Sequence, residues 1–120
     1  MPDTLLYHNP ACSKSRAAFE WLQAHGVAFE VVDYLQSPLS AEQIAELLTA
    51  LGATAREAMR REDALYGELG LYSPRLDEQA LISAMARYPA LLQRPILRHR
   101  DRAVIARPLE RMLEILDGLN

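Results

Sequence analysis

Between residues 4 and 35 the hydrophobic pattern changes period twice, which leaves few architectures open to the chain. TLLYH (4–8) is a short apolar run rich in strand formers. Asn9-Pro10 halts it, so it predicts a buried strand followed by a turn. From Ser13 the period becomes helical, with Ala17, Phe19, Trp21 and Leu22 recurring up to a stop at Gly26. VAFEVVDYL (27–35) is strand-like again. The order β-α-β most often lays two parallel strands side by side, with the helix on one face.

The middle of the chain is helical in pattern. SAEQIAELLTALG (40–52) carries a Ser40 cap, Gln43 in the capping-box position, a stripe of Ile44, Leu47, Leu48 and Leu51, and a closing Gly52. TAREAMRRE predicts a shorter helix capped by Thr54, with Glu57 three residues on. Residues 66–70 read as a turn or short helix, and 77–89 as a helix capped by Asp77. PILRH (95–99) and AVIA (103–106), joined by a charged tip, predict an antiparallel hairpin. Pro108 then opens a last helix. The fold class is α/β: β-α-β, a helical block, then β-β-α, in a single domain spanning residues 1–120.

Charge and cysteine content narrow the function. A net charge of -3 and a pI near 5.6 give no global reason to expect nucleic acid or an anionic membrane as partner. The N-terminal residues show neither a signal-peptide core nor an apolar run approaching the roughly 20 residues of a membrane span, so the expected compartment is the cytoplasm. With one cysteine and three scattered histidines there is no metal-ligand spacing. A single cysteine also makes no intramolecular disulfide, so a redox role needs a second thiol from outside.

That cysteine, Cys12, lies in HNPACSKSR (8–16), after the first strand and immediately before the first helix. Two readings stand: a small buried hydrophobe, or a thiolate favoured by a helix N-terminus, by Lys14 and Arg16, and by His8 at the strand end. The flanking polar loop favours the second, since a core thiol sits within an apolar run. Ligands of open α/β sheets also bind at the carboxyl edge, where this loop falls. Arginine outnumbers lysine twelve to one. The planar guanidinium fork suits tetrahedral oxyanions and carboxylates. Arg94 before Pro95, Arg107 before Pro108, and Arg60 at the end of a short helix stand out by context.

The run YHNPACSKSR, with GELGL (67–71), QRPI (93–96) and ARP (106–108), resembles the glutaredoxin-coupled arsenate reductase family, in the Spx-related superfamily, over nearly the whole chain. The resemblance implies a thioredoxin-like fold with a helical insertion over residues 36–90. It implies Cys12 as nucleophile and Arg60, Arg94 and Arg107 around the oxyanion, with Arg61 an alternative to Arg60. His8 matches the histidine that supports the thiol, and Pro95 the cis proline beside it. Ser15 stands where a thioredoxin-type second cysteine would be, and its hydroxyl either donates to the thiolate or caps the helix. No cofactor is expected to be bound. Glutathione is the implied co-substrate and glutaredoxin the implied partner, with arsenate or a similar oxyanion as substrate. Two rival functions share these residues: a glutathione-dependent thiol reductase, and a non-catalytic Spx-like regulator that binds RNA polymerase. Those regulators often carry a C-x-x-C loop, which HNPACSKS lacks.

Overall fold

A computed structural model describes residues 3–116, and two compact units emerge. One runs up to Ser37 and resumes at Arg94; the other is Pro38–Gln93.

The first unit holds a sheet of four strands: β1 (Thr4–Tyr7), β2 (Glu30–Val32), β3 (Ile96–His99) and β4 (Arg102–Ile105), in the order β2-β1-β3-β4. β1 pairs parallel with β2, with Leu6 opposite Val31, and antiparallel with β3, with Leu6 opposite Leu97. β3 and β4 form the expected hairpin, in which Ile96 faces Ile105. Its tip is Arg100-Asp101, and Arg100 takes the positive φ of 58° that a two-residue connection requires. β2 is shorter than the run 27–35 suggested. Pairing is confined to three residues opposite β1, while Val27 and Phe29 pack against the core from outside the strand.

Helix α1 (Ser13–Ala24) is the crossover between β1 and β2. Its buried face is Ser15, Ala18 and Leu22, one stripe of the helix, and it includes a polar residue. Leu6, Ala18, Leu22, Leu97, Val104, Met112 and their neighbours make the core of this unit. The segment after Pro108 coils as a 3-10 helix, Leu109–Glu114, instead of an α-helix, and seats Met112 in that core. Pro108 precedes that helix as its cap residue, not as its first helical residue.

The second unit contains α2 (Ala41–Leu51), α3 (Ala64–Glu68) and α4 (Glu78–Arg87), with a 3-10 turn at Pro89–Leu91. α2 packs against α4 through Ile44, Leu47 and Leu48 on one side and Leu81, Ile82 and Met85 on the other. The capping box of α2 forms as read: Gln43 N–H donates to Ser40 Oγ at 3.1 Å, and Ser40 N–H to Gln43 Oε1 at 2.9 Å. Gly52 closes the helix in the left-handed region at φ 64°, which disfavours any side chain there.

The helix expected from Thr54 is not an α-helix. Its capping box does form, with Thr54 N–H donating to Glu57 Oε1 at 2.8 Å and Glu57 N–H to Thr54 Oγ1 at 3.2 Å. The chain then turns, because Met59 bridges antiparallel to Leu92. Arg60 N–H donates to Leu91 O, and Gln93 N–H to Ala58 O. A non-local backbone pairing has won over a local helix signal. Among the described residues no helix is long and apolar enough to cross a membrane.

Leu97 is fully buried in a central strand, whereas Ser40 sits on an exposed cap. In urea titrations, Leu97→Ala is expected to cost about 2–5 kcal/mol and Ser40→Ala about 1 kcal/mol. Equal losses at the two positions would contradict this division between core packing and capping.

Candidate active site

The loop after β1 is built by short-range hydrogen bonds. Asn9 Oδ1 accepts from Ala11 N–H at 3.0 Å and Asn9 O from Cys12 N–H at 3.0 Å, folding NPAC into a tight turn. Arg16 donates to Pro10 O at 2.9 Å from the first turn of α1. Cys12 thereby becomes the N-cap residue of α1, half-buried, with extended backbone angles.

Ser15 locks this arrangement from beneath. It is completely buried, and its hydroxyl shares a 2.6 Å hydrogen bond with His8 Nδ1 while accepting from Asn9 N–H at 3.0 Å. The hydroxyl therefore ties the end of β1 to the first turn of the helix, and its two partners are His8 and Asn9. The signal for this was available in the stripe 15, 18, 22, which puts Ser15 on the core face of α1. His8 is buried, its ring stacks on Phe19 at a centroid distance of 5.4 Å, and its backbone N–H donates to Val32 O. Burial lowers its pKa, with Asp33 opposing and Arg16 adding to the effect. Burial thus favours the neutral ring, and its structural contact is Ser15.

At Cys12, burial pushes the thiol up. It is outweighed by the backbone N–H of Ser15, the Arg94 side chain hydrogen-bonded to the sulfur, the N–H of Lys14 and the charge of Arg94. The net result is a thiol held below its ordinary value. These donors are the unsatisfied N–H groups that every helix N-terminus presents, together with one cation.

Arg94 reaches this position through the hairpin. Extending the register of Ile96 and Ile105 outwards by two residues sets Arg94 across from Arg107, and Ala106 N–H donates to Pro95 O at 2.9 Å between them. Arg107 Nη1 donates to Arg94 O at 3.1 Å. Pro95 is fully buried, and both Arg94–Pro95 and Arg107–Pro108 are cis. Cys12, Arg94 and Arg107 thus form one constellation at the edge where β1 ends and the β3–β4 hairpin begins and closes. A thiolate hydrogen-bonded by one guanidinium, with a second guanidinium held on the backbone of the first, has the parts needed to attack an electrophilic centre in an oxyanion.

A model of the ArsC family matches residues 7–115. The chain belongs to the ArsC family. This ArsC-family chain is 47% identical over 117 residues to an arsenate reductase of Neisseria meningitidis, covering 97% of this chain and all of that one. It is 33% identical to an arsenate reductase of Escherichia coli, over 97% of this chain and 82% of that one. Among solved structures, the arsenate reductase of Vibrio cholerae superposes with a TM-score of 0.91 at 41% identity, covering 94% of this chain and 97% of that one. The four-stranded mixed sheet with its helices is the thioredoxin-like fold of these ArsC structures.

Arg60 belongs to the second unit of this ArsC-family chain, where Nη1 pairs with Asp63 Oδ2 at 2.9 Å and Nε lies 3.8 Å from Glu62. Asp63 also caps α3. Arg61 beside it is exposed. Arg56, which the sequence did not single out, anchors the unit by donating to Leu71 O and Ser73 O at 2.9 and 3.0 Å. A hollow of about 500 Å³ in the same unit has Glu57 and Glu78 in its wall. Both carboxylates there are bonded to backbone, at Thr54 and Ala55.

Alkylation of Cys12 by iodoacetamide, followed against pH, is expected to titrate below the ordinary thiol value of about 8.5. Arg94→Ala moves that midpoint upward by removing a hydrogen bond and a positive charge from the thiolate. A midpoint at or above the ordinary value, or one indifferent to Arg94→Ala, would contradict the electrostatics described.

Proposed function

We propose that the protein is an arsenate reductase that uses Cys12 as its nucleophile and draws its electrons from glutathione and a glutaredoxin. The observation that carries this reading is the Cys12 thiol, held below its usual pKa at the N-terminus of α1 and hydrogen-bonded by Arg94. The relatives named arsenate reductase, which align over nearly the whole chain, support it. Residues 36–90 are read as a helical insertion in one thioredoxin-like domain acting in the cytoplasm.

In this mechanism Arg94 and Arg107 hold the arsenate oxygens, with Arg60, the third arginine implied by the family resemblance, as a further cation. The Cys12 thiolate attacks arsenic; an As–S bond forms, an As–O bond breaks, and the oxygen leaves as water after protonation. Glutathione replaces a second oxygen in the same way, and its thiol proton departs with the water. A glutaredoxin thiolate then attacks the glutathione sulfur. The electron pair of that S–As bond stays on arsenic, reducing As(V) to As(III), and the two thiols leave as a mixed disulfide. Water finally displaces Cys12 and releases arsenite. His8 and Ser15 support the loop, and Pro95 the Arg94 backbone.

Arsenate-dependent NADPH oxidation, coupled through glutathione, glutathione reductase and glutaredoxin, tests the proposal. Wild-type protein is expected to turn over, Cys12→Ser to be inactive, and Arg94→Ala to lose roughly 10²-fold in kcat/KM, the scale of one lost oxyanion contact. A correctly folded wild type that shows no arsenate turnover with several glutaredoxins, yet reduces a glutathione mixed disulfide, would replace this reading with thiol reduction.

A further inference from the structure

A single cysteine cannot regenerate itself, so the reducing thiol has to approach Cys12 from outside. Beside the constellation lies a groove of about 470 Å³, lined by Lys14, Ala17, Ala106, Arg107, Pro108, Leu109 and Glu110. Two of its lining residues connect to the site of the sulfur. Lys14 contributes its N–H to the Cys12 thiolate, and Arg107 is bonded to the backbone of Arg94, whose side chain reaches the same sulfur. Volumes of this order accommodate small ligands.

The charges of the wall describe the occupant: two cations, Lys14 and Arg107, and one anion, Glu110, around the apolar Ala17, Pro108 and Leu109. A ligand that matches them carries two carboxylates and one ammonium on a short, flexible chain. Cys12 is not part of the lining, but Lys14, two residues on in the chain, is.

We propose that this groove is the subsite for the reducing thiol, a zwitterionic dicarboxylate peptide thiol of the glutathione class, with Lys14 meeting one carboxylate, Glu110 the ammonium, and Arg107 bridging the other carboxylate and an oxygen on arsenic. The inference rests on the arsenate reductase reading and deepens it, since it assigns residues to the second substrate. Held there, the thiol forms an S–As bond with the arsenic on Cys12. An As–O bond breaks, and water leaves with the thiol proton. No electrons move until a second thiol, that of glutaredoxin, takes the peptide away.

Two measurements test it. In the coupled assay, the KM for glutathione and the KM for arsenate are determined separately for wild type, Lys14→Glu and Glu110→Gln. The glutathione KM is expected to rise roughly fivefold or more for Lys14→Glu, and roughly two- to fivefold for Glu110→Gln, as for the loss or reversal of exposed ion pairs. The arsenate KM moves less in both. The wild-type preference for glutathione over its analogue lacking the ammonium should collapse in Glu110→Gln. Independently of turnover, S-methylglutathione titrated into Cys12→Ser protein is expected to shift the amide resonances of Lys14, Ala17 and Leu109. If arsenate turns over while the glutathione KM of both variants stays within about twofold of wild type, and the shifts fall elsewhere, the groove assignment is overturned and the function stands. If S-methylglutathione shifts these resonances but arsenate is not turned over, the function falls and the subsite stands.

Discussion

The chemistry of this chain depends on a hydrogen bond that never touches the sulfur. The Ser15 hydroxyl, buried between His8 Nδ1 at 2.6 Å and Asn9 N–H at 3.0 Å, fastens the first turn of α1 to the end of β1. A buried hydroxyl with both partners present is favourable, whereas removing one leaves an unsatisfied polar group in the core. The turn between the two anchors is short and internally bonded through Asn9. Once its ends are fixed, Cys12 has one place to be, the N-cap, where the helix presents its unbonded N–H groups.

Two opposing effects then meet at the thiol. Half-burial favours the neutral form, and the backbone donors of Ser15 and Lys14, together with Arg94, favour the anion. The lowering prevails because these donors are held by secondary structure and need no reorganisation when charge appears. Arg94 and Arg107 face each other for a similarly rigid reason. They extend a hairpin whose register is fixed by Ile96, Leu97 and Val104 in the core, so the fold holds Arg94 at the thiol and Arg107 on the Arg94 backbone.

Much of this was legible in the sequence, where local signals and tertiary demands agree. The β-α-β opening, the Ser40 and Gln43 capping box, the Asp77 cap and the hairpin all follow from short-range chemistry that packing leaves intact. The readings that failed did so where non-local pairing intervenes. Thr54 and Glu57 form their box, but the bridge between Met59 and Leu92 diverts the chain before a helix can grow. Residues 27–35 supply only the three strand positions that β1 can pair. Ser15 was read as a cap or a thiolate donor because it stands where a thioredoxin-type second cysteine would be, although the stripe 15, 18, 22 already put it in the core. The partnership of Arg60 with Asp63 depends on a turn that periodicity does not reveal.

Thiolate chemistry at Cys12 is thus a consequence of how β1 and α1 are joined, and a pH titration of the ultraviolet absorbance of the thiolate in Ser15→Ala protein tests that most directly. This substitution leaves Arg94 and every backbone N–H in the chain, and removes only the fastening of the turn. The expected result is a folded protein, by circular dichroism, whose Cys12 titrates at higher pH than wild type, because the donors no longer hold their aim. A folded Ser15→Ala protein with the wild-type titration midpoint would contradict the claim and leave the thiolate to Arg94 and local charge alone.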